Sequence, residues 1–353
     1  MRALLLLSIV ACSAPAPLPE LARAERAERA GRTDEALAQY RAAQKTCTGI
    51  KGERRRREIC GQALVGEASL LADSGRTDEA IRAFAAIPER AGGDPPPSAQ
   101  GLFRAGQLAL ERAEAKTPPD DREVAQAWNL LWRTVTEYPD EAFAGDAIEL
   151  LVRDGRGRDA RALYDELGKL GGALDDTKVA DNLLWAMADL AEHELHDPAA
   201  ARALYDRIDE DHKDSGLRDD AYWRAANLSR AIGDPQGAVT RLRTFLATRE
   251  VAFGAGSYFS IWLDDAQLLL GQILRDDLHD NAGAATAFRQ LPELYPASIL
   301  RDDALIELAE TLAASGDAKG ACDALAKLKH DWPDSKFLTE RAPAVANKAA
   351  CKP

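Results

Sequence analysis

From Leu18 onward, apolar residues recur three and four positions apart, the spacing that places them on one face of a helix. Leu305, Leu308, Ala309 and Leu312 share such a face, and Ala321, Leu325 and Leu328 share another. Alternation of β-branched and polar residues, the mark of a half-buried strand, is scarce. The pattern predicts an all-α chain whose helices are separated by short glycine and proline turns.

The helices follow a repeating order. Gly31-Arg-Thr-Asp-Glu-Ala36 recurs as Gly75-Arg-Thr-Asp-Glu-Ala80. Weaker copies stand at Gly155–Ala160, Gly233–Ala238 and Gly316–Ala321, with glycine and alanine five apart in each. A second series marks the far end of each unit: Tyr138-Pro, His212-Lys, Tyr295-Pro and Trp332-Pro. Two of these lead into one phrase, Leu217-Arg-Asp-Asp-Ala221 and Leu300-Arg-Asp-Asp-Ala304. Tyr138 to His212 spans 74 residues, two steps of 37, and Tyr295 to Trp332 spans 37. His212 to Tyr295 spans 83, and the excess falls on the glycine-containing segment Val251–Ser260.

A period of this size, with a turn glycine between two helices, resembles the tetratricopeptide repeat (TPR). The last two units carry the resemblance best, through Leu270-Gly271, Leu274, Ala284, Phe288, Leu291 and Pro296, then Leu305, Ala309, Gly316, Ala321 and Pro333. It implies a TPR-like α-solenoid of about eight helix-turn-helix units between Leu18 and Phe337. In such a stack, a small residue on the first helix lets the second pack closely, and neighbouring units bury a continuous core. The resemblance implies N-terminal units over 20–95, a main superhelix over 96–337, and a capping helix and tail over 338–353. The proline-rich stretches Pro88–Ser98 and Lys116–Asp121 suggest a bend between the first two units and the remainder.

The resemblance also implies a function. First helices line the concave face and receive extended or helical peptides. Their outward positions are Asp220, Trp223, Asn227 and Arg230, then Asp265, Gln272 and Arg275, then Asp303 and Glu310. Trp223, Asn227 and Arg230 share a helix face, and Trp223 is expected to be exposed there as a binding anchor.

The N-terminus adds an address. Met1-Arg2 is followed by the apolar run Ala3–Val10, too short to span a bilayer but fitting a secretory signal. Ile9-Val10-Ala11-Cys12 resembles the bacterial lipobox, which implies a signal peptide over 1–11, lipidation of Cys12 and a proline-rich tether over 12–19. Ser13 after the cysteine implies an outer-membrane, periplasmic location, with release into the soluble periplasm as the alternative. Four further cysteines form two local pairs, Cys47 with Cys60 and Cys322 with Cys351. Each pair sits at adjoining ends of antiparallel helices in the repeat map, so disulfides are expected in an exported chain, against an alternative of four buried thiols.

Composition and charge narrow the field. The chain has 353 residues, is 46% hydrophobic and 29% charged, and carries a formal net charge of −13. That acidity disfavours a nucleic-acid partner. The basic run Arg54-Arg55-Arg56-Arg57 runs against it, as a solvated insert or as a contact for anionic lipid head groups. His193 and His196 are three apart and could share a helix face, but no third metal ligand accompanies them. The acidic runs Asp209–His212 and Asp276–Asp280 lack calcium-loop spacing. No nucleophile, base and orienter assemble, so neither an enzyme, a cofactor nor a small-molecule substrate is expected. The reading is a lipid-anchored scaffold or adaptor for an envelope complex. It is similar to the TPR lipoproteins of β-barrel assembly and to the TPR division coordinators of the Tol–Pal system. The alternatives are an accessory part of a cell-wall enzyme system and a structural spacer.

Overall fold

The computed structural model describes residues 18–248 and 260–352. The signal segment 1–11, Cys12 with most of its tether, and the Val251–Ser260 insertion other than Ser260 lie outside the described residues. Among the described residues the chain is helical, with no strand.

The chain divides into two compact units, one running to Asp154 with Leu174–Val179, the other comprising Gly155–Ala173 and Ala180 onward. In the first unit, α1 (Pro19–Arg29) pairs with α2 (Thr33–Thr46), and α3 (Glu53–Asp73) with α4 (Thr77–Ala85) and the short α5 (Ile87–Arg90). Helix α6 (Pro95–Glu114) pairs with α7 (Asp121–Glu137). Leu37, Tyr40, Leu64, Leu71, Phe84 and Ile87 form the core. The boundary expected near residue 95 is not there. Pro95 to Pro97 open α6, where a missing amide hydrogen is tolerated. Ala105 of that helix then joins the same core as α1–α5. Lys116–Asp121 is the turn inside the next hairpin, where Asp120 accepts from the amides of Arg122 and Glu123.

Helix α8 (Ala142–Leu174) holds two helical halves broken at Asp159, whose φ of −151° and ψ of 84° are not helical. The turn expected at Gly155 falls instead at this aspartate, which accepts from the Ala162 amide at 2.9 Å and so caps the second half. The second unit continues with α9 (Ala180–His193), α10 (Pro198–Asp211), α11 (Arg218–Ala231), α12 (Pro235–Ala247), α13 (Leu263–Asp276), α14 (Asn281–Leu294), α15 (Arg301–Ala314) and α16 (Ala318–Asp331). The tail forms α17 (Phe337–Glu340) and α18 (Ala342–Ala349). Ala342, Val345 and Ala349 cover the end of the core.

The repeat rests on three local devices. Each hairpin of the second unit turns through a left-handed residue: Gly233 at φ 80° and Gly316 at φ 86°, but His196 at φ 52° and His279 at φ 56°. Histidine tolerates this region better than most side chains. Next comes a capping aspartate, and Asp197, Asp234, Asp280 and Asp317 accept from the amides of Ala200, Gly237, Gly283 and Gly320. At the unit's end a serine hydroxyl accepts from the amide two residues on, at Ser215, Ser260, Ser298 and Ser335. His196 therefore lies beyond the end of α9, off the helix that His193 ends, and the two do not share a face. Among the described residues no group of three metal-ligating side chains assembles.

Two disulfides pin the ends. Cys47 joins Cys60 with Cα atoms 5.4 Å apart, and Cys322 joins Cys351 at 5.5 Å. The first ties the end of α2 to α3, the second the start of α16 to the tail after α18.

Candidate protein-binding groove

The nine positions expected on the concave face occupy the first helices α11, α13 and α15 of the second unit, and most of them bind one another's neighbours. Trp223 is half-buried, and its ring stacks on Trp262 with centroids 5.4 Å apart and planes 6° from parallel. The expectation of an exposed tryptophan anchor is corrected: the second indole, from the next repeat, covers it. Trp262 Nε1 donates to Asp220 Oδ1 at 2.6 Å, which locks both rings. Asn227 turns back to donate to the Trp223 carbonyl at 2.8 Å.

Charges bridge successive first helices like rungs. Arg230 pairs with Asp277 at 2.7 Å and approaches Asp276. Arg275 pairs with Asp276 and with Glu307. Arg341 reaches Glu307 at 3.0 Å and also binds Glu310. Arg275, though partly desolvated, is held above the usual guanidinium range by its bonds to Asp276 and Glu307. The Arg275 bond holds Asp276 below the usual carboxylate range. Gln272 is half-buried on the same face. Asp265 and Asp303 stand apart. Burial, then the adjacent Asp264 and Asp302, push their carboxyls up. This face is largely self-satisfied and closed by its own side chains.

An open groove lies elsewhere, in the first unit. It has a volume of about 890 Å³ and runs between α3 and α6, the first helices of adjoining hairpins. Small residues make its floor. A Cβ at Gly61 would sit 3.1 Å from Pro97, so α3 and the start of α6 approach closely there. At Gly66 a Cβ would lie 2.4 Å from the Tyr40 ring, so only glycine admits that ring from α2. Burial, then the bond to Glu28, push the Tyr40 phenol up, and the hydroxyl donates to Glu28 Oε2 at 2.7 Å. Val65 and Pro96 extend the apolar strip, while Gln62 and Gln100 offer amides beside it. Arg54, Arg57, Glu53, Glu58 and Asp94 form a charged rim. An apolar trough with amides and a mixed-charge rim suits a peptide segment, whose backbone needs polar partners and whose side chains need pockets.

Sequence reading missed this groove, since it is defined by how closely α3 approaches α2 and α6 and not by any reactive side chain. The signal that could have found it is the pair Gly61 and Gly66 in one helix, beside Pro96-Pro97 in the next first helix.

Residues 265–298 and 303–335 match the tetratricopeptide repeat model, and these are the hairpins α13–α14 and α15–α16. YrrB, a TPR protein with an unusual peptide-binding site, is 15% identical over 62% of this chain and 97% of its own, with a TM-score of 0.41. The C-terminal part of a TPR repeat-containing protein from Cytophaga hutchinsonii is 10% identical over 92% of this chain and 98% of its own, with a TM-score of 0.40. The TPR2AB domain of yeast Sti1 is 12% identical over 94% and 97%, with a TM-score of 0.31. Likenesses at this level carry nothing about what this chain binds. No curated protein matches the sequence. The repeat model thus covers two hairpins of an all-α, TPR-like solenoid fold.

Proposed function

We propose that this chain is a lipid-anchored adaptor of the bacterial envelope that holds a peptide segment of another protein between α3 and α6. The observation that carries the reading is the contrast between two faces built from first helices. On α11, α13 and α15 the tryptophan and most of the charges are already engaged, whereas the α3/α6 groove is open, apolar at its floor and polar at its rim. The anchor at Cys12 and the periplasmic face of the outer membrane belong to the same proposal. The lipobox-like Ile9–Cys12 supports them, and two disulfides are consistent with an oxidising compartment. β-Barrel assembly and Tol–Pal-coupled division are the two processes in which a partner is sought first.

Site-specific photocrosslinking in cells tests the groove. A crosslinking side chain at Gln62 or at Gln100 should give the same discrete protein adduct, and one at Asn227 should not. Val65→Asp, on the groove wall, should abolish the adduct at a temperature where circular dichroism shows the variant folded, since Val65 also packs against the core of the first unit and a carboxylate there lowers the melting temperature. Adducts only from Asn227, or groove adducts indifferent to Val65→Asp, would move the site or leave a spacer. Fractionation of Cys12→Ala tests the anchor separately, since equal membrane association of both forms would remove it.

A further inference from the structure

The four arginines of α3 oppose the helix that carries them. They fall within its first turn and a half, where the macrodipole favours anions. The cluster faces solvent: residues 51–58 are all exposed, and Arg57 binds Glu53 and stands 4.0 Å from Asp94. Lys45 and Lys51, also exposed, add to the cluster. Six cations thus stand between Lys45 and Arg57, against the single anion Glu53, in a chain whose net charge is −13. Placing them there is a local violation of helix chemistry, of the kind that marks a site serving something other than folding.

The fold presents this cluster as a spur. Helix α3 has 21 residues against 14 in α2, and Cys47 meets it only at Cys60. The turns before Cys60 therefore extend about 10 Å along α3 ahead of the disulfide, at 1.5 Å per residue. The Cys47–Cys60 bond closes the loop that holds Lys51 and Arg54–Arg57, so the charges are fixed in place. The spur also lies at a particular end of the α1–α2 hairpin. Arg23 of α1 donates to Gln39 of α2, so the two helices run antiparallel and Leu18 lies level with the end of α2. The chain enters at the end from which the spur projects, six residues after Cys12.

We propose that Lys45, Lys51 and Arg54–Arg57 form a docking surface for an anionic phospholipid bilayer, which holds the first unit against the membrane. The choice of a bilayer rests on the anchor reading at Cys12; the charge complementarity does not. Anionic head groups attract juxtamembrane basic residues strongly enough that a cluster of four to eight is a recognisable lipid-binding feature. A lipid anchor at Cys12 ties the chain to the bilayer without fixing which face meets it, and the basic patch supplies that orientation for the groove.

Vesicle co-sedimentation of the full chain carrying Cys12→Ser, which cannot be acylated, tests the patch without the anchor. The chain should bind vesicles of phosphatidylglycerol and phosphatidylcholine, and not phosphatidylcholine alone. Lys51→Gln with Arg56→Gln, neither of which lines the groove, should weaken binding about thirtyfold, from about 1 kcal/mol per basic residue. Arg26→Gln with Arg29→Gln makes the same change in net charge at the other end of α1 and should leave binding unchanged. Equal loss in both doubles, or equal binding to both vesicles, overturns the proposal. So does retention on poly-glutamate that vesicles fail to displace, which would make the patch a site for an acidic protein. Failure here with Cys12-dependent fractionation intact removes the patch and leaves the anchor; the reverse removes the anchor alone.

Discussion

Gly271 sits mid-way along α13, and the ring of Phe288 from α14 lies directly on it. A Cβ at Gly271 would stand 2.4 Å from Phe288 Cε1, well inside van der Waals contact. Phe288 is fully buried, with no solvent-facing side toward which it could swing. Gly271→Ala therefore forces either α13 and α14 apart or the ring off its rotamer, at about 1–3 kcal/mol. Against this stands the helix propensity of alanine, worth about 1 kcal/mol over glycine. An approach of 2.4 Å puts the strain at the upper end of that range, so the net is a destabilisation of roughly 1–2 kcal/mol. At about 2–4 °C per kcal/mol for a unit of this size, thermal unfolding should come several degrees earlier. Gly171→Ala is the control. Gly171 also lies in a helix, but nothing stands within 4 Å of its Cβ position, so only the propensity term acts and stability should rise by up to about 1 kcal/mol. Circular dichroism of both variants against urea reads the sign directly. Adding Phe288→Leu should relieve part of the Gly271→Ala cost, giving a favourable coupling energy in the double-mutant cycle. A stabilising Gly271→Ala, or a cycle with no coupling, would refute the packing argument.

Three other outcomes follow from the second unit. Trp223→Ala should destabilise by about 2 kcal/mol, because the half-buried indole loses its stack on Trp262, and near-ultraviolet dichroism should lose the paired-indole signal. Asp265→Asn or Asp303→Asn should stabilise at neutral pH by less than about 1 kcal/mol. A raised carboxyl pKa favours folding only while the group is protonated, so the wild type regains this difference as pH falls toward the ordinary aspartate value near 4; urea midpoints at pH 7 and pH 4 check it. Cys322→Ser with Cys351→Ser should lower stability by about 3 kcal/mol, and peptide mapping without reductant should show Cys47–Cys60 intact in that variant.

The fold was legible where chemistry leaves few choices. A left-handed turn selects glycine strongly enough that Gly31, Gly75, Gly233 and Gly316 announced four hairpins. It selects less strongly than a strict code requires. His196 and His279 fill the same position in two other hairpins, and there the signal passed for metal chemistry or an acidic loop. Gly155 failed in the opposite direction, as a helical glycine four residues before Asp159, which makes the turn. The third copy of the Leu-Arg-Asp-Asp-Ala phrase, Trp262-Leu-Asp-Asp-Ala266, escaped notice because tryptophan replaces the leading leucine and leucine the arginine. That replacement decided the fate of the expected binding face. Helix register shows that Trp223 leaves its own helix on the side away from Ala225 and Ala226, but not what meets it. What meets it is Trp262, whose ring nitrogen bonds Asp220 across 42 residues of sequence. The bonds of Arg275 to Glu307 and Arg341 to Glu310 span 32 and 31 residues. Each such partner is one repeat away, and the distance from one repeat to the next varies in this chain. A face read from one helix at a time therefore looks exposed, although its neighbours close it. The α3/α6 groove is the converse case. Its defining residues, Gly61, Gly66 and Pro97, carry no reactive group, and their contribution is the close helix approach they permit, with Pro97 and the Tyr40 ring set against the two glycines. In a stacked-helix protein the unclaimed surface is found only by asking which outward positions the next repeat leaves uncovered, and in this chain α3 and α6 answer that test while α11, α13 and α15 do not.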